Sequence, residues 1–258
     1  MTAGFDYLVF HAVAILPVVA ALAFLARYRL GTRRDVLAGT LVLAGLALVY
    51  TTPWDSYLIT RGVWWYGDGA VLVRFRAVPL GEYLFFLFQP LLVALWAARF
   101  PVETARPLSV PLPERALGLL GAGVVAAAGL ALLGSDSGLY LGSLLVWSAP
   151  ILAIQWAFGW PFLLSEWRTV LAGTLVPTLY LWVVDRAAIE VGLWTLSERY
   201  TTGAVVPLLG LPIEEAVFFL LTSLFVVQGL VLYVWLVDRV RAAEHRRPLA
   251  MLFGGRDS

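Results

Sequence analysis

Long apolar runs separated by short polar segments set the pattern of this chain. Runs near the ~20 residues needed to cross a hydrocarbon layer fall at approximately 6–26, 36–53, 79–98, 115–133, 138–158, 169–186 and 211–236. In lipid every backbone polar group has to be satisfied internally, so these runs predict seven transmembrane helices. The first begins with Asp6, has no basic residue before it, and is followed by Arg27, Arg29, Arg33 and Arg34. That is a stop-transfer pattern rather than a cleavable leader, and the span is expected to stay attached. Counting Arg on alternate sides of the spans gives 13 on one side and five on the other: Arg61, Arg74, Arg76, Arg186 and Arg199. The positive-inside rule then places the N-terminus outside and the C-terminus in the cytoplasm of a multi-pass protein of the cell membrane.

The same pattern occurs twice. VLAGTLV at 36–42 returns at 170–176, and Tyr7, Leu8 and Pro17 return as Tyr140, Leu141 and Pro150 at the same separations. Asp55, Gly62 and Trp64 match Asp185, Gly192 and Trp194 with identical spacing, and the third span of each unit opens with PLGEYLFF (79–86) or LPIEEAVFF (211–219). The predicted architecture is an all-α membrane protein of two three-helix repeats, residues 1–105 and 137–240, joined by a linker helix within 106–136 and followed by a cytoplasmic tail, 241–258. One span between the units makes the repeats parallel, with a pseudo-twofold axis along the membrane normal.

Composition narrows the chemistry. The 258 residues are 61% hydrophobic and 14% charged, with mean hydropathy +0.85 and formal net charge +1. No basic excess points to nucleic acid. Absence of Cys removes thiolate catalysis and zinc–thiolate sites. All 18 basic residues are Arg, so a retinal Schiff base is excluded for want of Lys. Only His11 and His245 are present, too few for a multi-histidine iron centre, and no metal site is expected. His11 reads as a packed helix residue. Gly121-x-Gly123 lies inside an apolar helix with no preceding strand, so it is no dinucleotide motif.

Ionisable side chains inside apolar spans are costly and are functional candidates by default. Glu82, Glu214 and Glu215 each sit at a span start after a Pro. Three- and four-residue spacing puts Glu82 on the face of Phe85 and Phe86, and Glu215 on that of Phe218 and Phe219. An acid in the first turn also offsets the helix dipole, but three acids in two matched registers ask for more than that. Asp55 and Asp185 end the second span of each unit, and Trp64, Trp65, Tyr66 and Trp194 suit an interfacial aromatic belt. The matched Asp…Gly-x-Trp spacing predicts a fold-back segment bringing Asp and Trp toward the Glu-bearing helix starts. Arg61 and Arg199 are candidates to hold Asp55 or a Glu ionised.

PLGEYLFF at 79–86 and PIEEAVFF at 212–219, preceded by Asp55 and RGVWWY at 61–66, resemble the P-x-E-[ED]-x-x-F-F signature of the integral-membrane lycopene cyclases of bacteria and archaea. The resemblance runs from FDYL at 5–8 to the seventh span. One departure stands out: Gly81 occupies the place of the leading acid in the first copy, which puts equal roles for the two halves in doubt. The resemblance implies ring closure on the end of a linear carotene by a proton-initiated, redox-neutral carbocation reaction, with a carotenoid substrate, lipid surroundings and other enzymes of the carotenoid pathway as partners. It implies no cofactor; the flavin-binding fold of the soluble-type cyclases has no counterpart here. In that reading Glu215 or Glu214 is the acid, and Glu82, Asp55 or Asp185 is the proton acceptor or the group that tunes the acid. Phe85, Phe86, Phe218, Phe219, Trp64 and Trp194 stabilise the cation, each ring contributing roughly 0.5–2 kcal/mol. Two other readings remain open: a small transporter, since sugar transporters of the SWEET type share the three-one-three plan, and a carotenoid hydratase that captures the same cation with water.

Overall fold

A computed structural model gives the backbone of residues 6–253 and the side chains of residues 6–244. Phe5 of the FDYL segment, His245 and the tail arginines 246, 247 and 256 lie outside the described side chains.

Seven helices are long and apolar enough to cross a membrane: α1 (Tyr7–Phe24), α2 (Arg33–Arg61), α3 (Leu80–Ala97), α4 (Leu112–Leu132), α5 (Leu139–Ser165), α6 (Trp167–Glu190) and α7 (Ile213–Phe253). The chain is a helical, multi-pass membrane protein. α7 lies at the centre, packed against α2, α3, α5 and α6, while α4 lies mainly along α5.

Several helices outrun their apolar stretches. α2 continues through Pro53 to Arg61, and α6 to Glu190, so Asp55 and Asp185 lie more than a turn inside their helices instead of ending them. Pro53 lacks only its own N–H, and nearby Thr52 turns its hydroxyl back onto the Leu48 carbonyl at 2.6 Å; hydroxyl side chains of this kind help a transmembrane helix accommodate proline. α7 extends as helix to Phe253, through much of the stretch expected to be tail. α5 bends at Gly159, two residues before Pro161. In α1 the turn His11–Ile15 is π-helical.

The helical plan carries an addition that periodicity did not predict. Short strands β1 (Trp64–Tyr66) and β4 (Trp194–Leu196) pair antiparallel, Trp64 facing Leu196 and Tyr66 facing Trp194, and β2 (Arg74–Phe75) pairs with β3 (Val78–Pro79) in a tight hairpin. The β1–β4 ribbon ties the segment after α2 to the segment after α6.

Candidate active site

Both ribbon strands leave their helices through the same turn. Gly62 and Gly192 follow the ends of α2 and α6 with φ of +71° and +73°, a left-handed conformation that costs any residue with a Cβ. Gly62 N–H donates to the Ile59 carbonyl and Val63 N–H to that of Leu58; Gly192 and Leu193 repeat this with Ile189 and Ala188. These are Schellman caps, closed by contact between the residue after the glycine and the last helical turn. The caps reverse the chain and lay Trp64 and Trp194 back over the bundle end, where both are buried.

Beneath the ribbon, four carboxyls face one cavity: Asp55 from α2, Glu82 from the first turn of α3, Asp185 from α6 and Glu215 from the first turn of α7. Asp55 is 3% exposed and Asp185 2%, and one oxygen of each has no protein partner. Glu215 is buried, whereas Glu82 is half-buried and lines the cavity. Each Asp interacts electrostatically with both Glu residues.

Phenols hold the two glutamates. Tyr140, the first-turn tyrosine of α5, donates to Glu215 Oε1 at 2.9 Å. Tyr66 donates to Glu82 Oε1 at 2.7 Å and accepts from Trp64 Nε1 at 3.1 Å, and Tyr7 lines the same cavity beside Glu82. Burial, reinforced by the negative charge of Glu82 and Asp55, pushes the Tyr66 phenol well above its ordinary value, so it remains a donor at working pH.

The rest of the wall is aromatic. Phe85, Phe86, Phe218 and Phe219 line the cavity together with Trp64 and Trp194. Phe85 meets Phe219 edge-on at 5.9 Å and Phe218 at 6.5 Å, so the two Glu-bearing helices touch through their rings. Trp54 stacks on Phe218 at 6.1 Å and on Trp147 at 4.9 Å.

Of the five carboxyls singled out from sequence, the fold turns Glu214 away. It is fully buried, and its Oε1 accepts from Thr202 N at 2.7 Å and from Thr202 Oγ1 at 2.8 Å, tying down the turn before α7. Its counterpart Gly81 leaves no room for an acid: a Cβ there would run into the Tyr7 ring. The Gly81 carbonyl lies 2.8 Å from His11 Nε2, and the His11 ring stacks on Tyr7 at 5.0 Å. The expectation that Arg61 and Arg199 hold the buried acids is corrected. Both guanidinium groups lie over the Tyr200 ring, and Arg199 pairs with Asp136 at 2.8 Å on the surface. Sequence reasoning overlooked Tyr7, Tyr140, Tyr66 and Trp54 as site residues. Tyr7 and Tyr140 had a visible signal, since they occupy matching first-turn positions of the two sequence copies.

Fold and site together define a multi-pass membrane protein whose helix ends enclose a chamber lined by four carboxyls and walled by aromatic rings. A lycopene beta-cyclase of Halobacterium salinarum (strain R1) is 46% identical over 236 residues, covering 92% of this chain and 99% of that protein. Bifunctional lycopene cyclase/phytoene synthases of Aspergillus niger and Gibberella fujikuroi are each 34% identical, over 86% and 88% of this chain but only 39% and 40% of their own lengths. No family model and no solved structure matches. The chain belongs to the lycopene cyclase family.

Proposed function

We propose that this chain is a carotenoid cyclase that closes a terminal ring on lycopene or an elongated relative by redox-neutral carbocation chemistry. Two tyrosine-held glutamates facing one ring-walled cavity from opposite halves of the chain carry this reading. Glu215 delivers a proton to the terminal double bond; the next suitably placed double bond attacks the resulting cation and closes the ring; a proton on a carbon beside the new cation leaves to Glu82. Glu215, held by Tyr140 in the unit that keeps both acids of the motif, is assigned as the donor, and Glu82, held by Tyr66 in the unit where Gly81 replaces one of them, as the acceptor. One proton enters and one leaves, so transfer from Glu82 back to Glu215 within the cavity that Asp55 and Asp185 also line resets the site.

The cation needs a wall that is electron-rich and dry. Trp64, Trp194, Phe85, Phe86, Phe218 and Phe219 supply it, joined by Trp54, at roughly 0.5–2 kcal/mol per well-placed face. Glu214 is assigned to the loop rather than to the chemistry.

Duplicated caps, and the tyrosine hydrogen bonds from Tyr50 to the Trp147 carbonyl and from Tyr180 to the Ala14 carbonyl, support two parallel three-helix units flanking 106–136. With the arginine-rich ends in the cytoplasm the chamber lies toward the outer side of the membrane. Lipid surrounds the bundle, and fungal relatives named for both a cyclase and a phytoene synthase support a neighbouring enzyme of the same pathway as a partner.

The test is pigment analysis in a bacterium that accumulates lycopene. Wild-type chain should convert the linear carotene to a ringed product, and Glu215→Gln at equal protein level should leave it linear. A hydroxylated acyclic product, or full ring formation by the variant, would overturn the assignment.

A further inference from the structure

The reactive chamber is too small for the molecule it is proposed to act on. Its volume is about 50 Å³, room for a few water molecules, each of which needs ≳10–15 Å³ by the same kind of measure. A long hydrocarbon must therefore lie mostly elsewhere, and Phe85, Phe86 and Phe218 show where. They also wall a second cavity, about 580 Å³, that runs between α2, α5 and α7 with α3 closing its chamber end. Its lining along α7 runs from Phe218 to Leu236, about 27 Å at the helical rise per residue and close to the ~30 Å hydrocarbon thickness of a bilayer.

One side of this groove faces lipid. α2 and α5 each pack on α7. At the chamber end they are clasped by Tyr50 donating to the Trp147 carbonyl at 2.8 Å and by the Trp54–Trp147 stack. Below that clasp, Leu46 on α2 and Ile154 on α5 line the groove and are 59% and 72% exposed on the bundle surface. An apolar solute already dissolved in the bilayer reaches this slot without crossing water. We propose that the groove between α2, α5 and α7 is the lateral route by which a linear polyene enters from the membrane and the channel that holds its unreacted tail while its end sits among the carboxyls. This rests on the cyclase reading and adds the path and the residues that line it.

Plugging the groove tests it. Ala47→Trp and Ile154→Trp, separately and together, are compared with Leu171→Trp, which fills a different apolar pocket between α4, α5, α6 and α7. In membranes from a lycopene-accumulating host, the double plug should lower ring formation at least tenfold at equal protein level, and Leu171→Trp should leave it unchanged. In the Glu215→Gln background, linear carotene co-purifying with the protein should fall in the same order. A photoreactive amino acid at Ile154, which leaves the groove open, should capture carotene, and one at Leu171 should not. Wild-type turnover by the double plug, or capture at Leu171 in place of Ile154, would overturn the route while leaving the acid chamber intact. Full ring formation by Glu215→Gln would instead defeat the assignment of Glu215 as the acid, and a wild-type chain that leaves lycopene linear would defeat the cyclase reading.

Discussion

Tyr140 and Glu215, seventy-five residues apart, meet at 2.9 Å with the phenol donating to the carboxyl. Each sits in the first turn of its helix, α5 and α7, so the bond joins two helix starts across the mouth of the chamber. In the other half of the chain Tyr66 makes the corresponding bond to Glu82 at 2.7 Å, with Tyr7 lining the cavity beside it.

Tyr140→Phe keeps the ring and removes the donor. A hydrogen bond to a charged group contributes about 1.5–3 kcal/mol, so ring formation should slow by roughly 10–100-fold with protein level unchanged. Initial rates in membrane fractions check this. A rate equal to wild type would show that Glu215 needs no phenol.

Glu214 and Glu215 should separate cleanly. Glu215→Gln should abolish turnover without loss of protein. Glu214→Gln should weaken the two hydrogen bonds that hold Thr202, lowering stability by about 0.5–1.5 kcal/mol, the ordinary net contribution of such a bond, while activity per folded molecule persists. Thermal unfolding in detergent alongside pigment assays reads both effects, and an inactive, fully stable Glu214→Gln would place that residue in the chemistry.

The two glycine caps predict a matched pair of defects. Gly62→Ala and Gly192→Ala force a Cβ into the left-handed region, at about 1–2 kcal/mol each, and displace Trp64 or Trp194 from the ribbon. Lower melting temperatures and reduced ring formation should appear for both. If both variants melt like wild type, the caps do not position the ribbon.

Gly81→Glu restores the acid found in the second copy of the motif and should inactivate the protein, because Tyr7 fills that space. Reduced activity with Gly81→Ala and near-complete loss with Gly81→Glu is the expected order. An active Gly81→Glu variant would show that the Tyr7 ring is free to move aside.

A chain without cysteine permits clean topology mapping. Glu198→Cys, on the chamber side, should react with a membrane-impermeant maleimide in intact cells. Glu103→Cys, between α3 and α4, should react only after permeabilisation. The reverse pattern would invert the protein in the membrane.

What could be read along the chain was what depends on near neighbours. Apolar runs of bilayer length predict helices because the backbone has no other way to be satisfied in lipid, and all seven were visible. Helical spacing alone puts Glu82 beside Phe85 and Phe86, and the spacing of Asp55, Gly62 and Trp64 marks the cap and the fold-back. The choice between Glu214 and Glu215 was not legible. Adjacent helical residues point about 100° apart, and only the rotation of α7 imposed by packing against four neighbours decides which one faces the cavity. Trp54, Tyr66 and the tyrosine–glutamate pairs belong to the same class. Their meaning comes from segments that are far apart in sequence and are brought together when the strands after α2 and α6 pair and the helix starts converge.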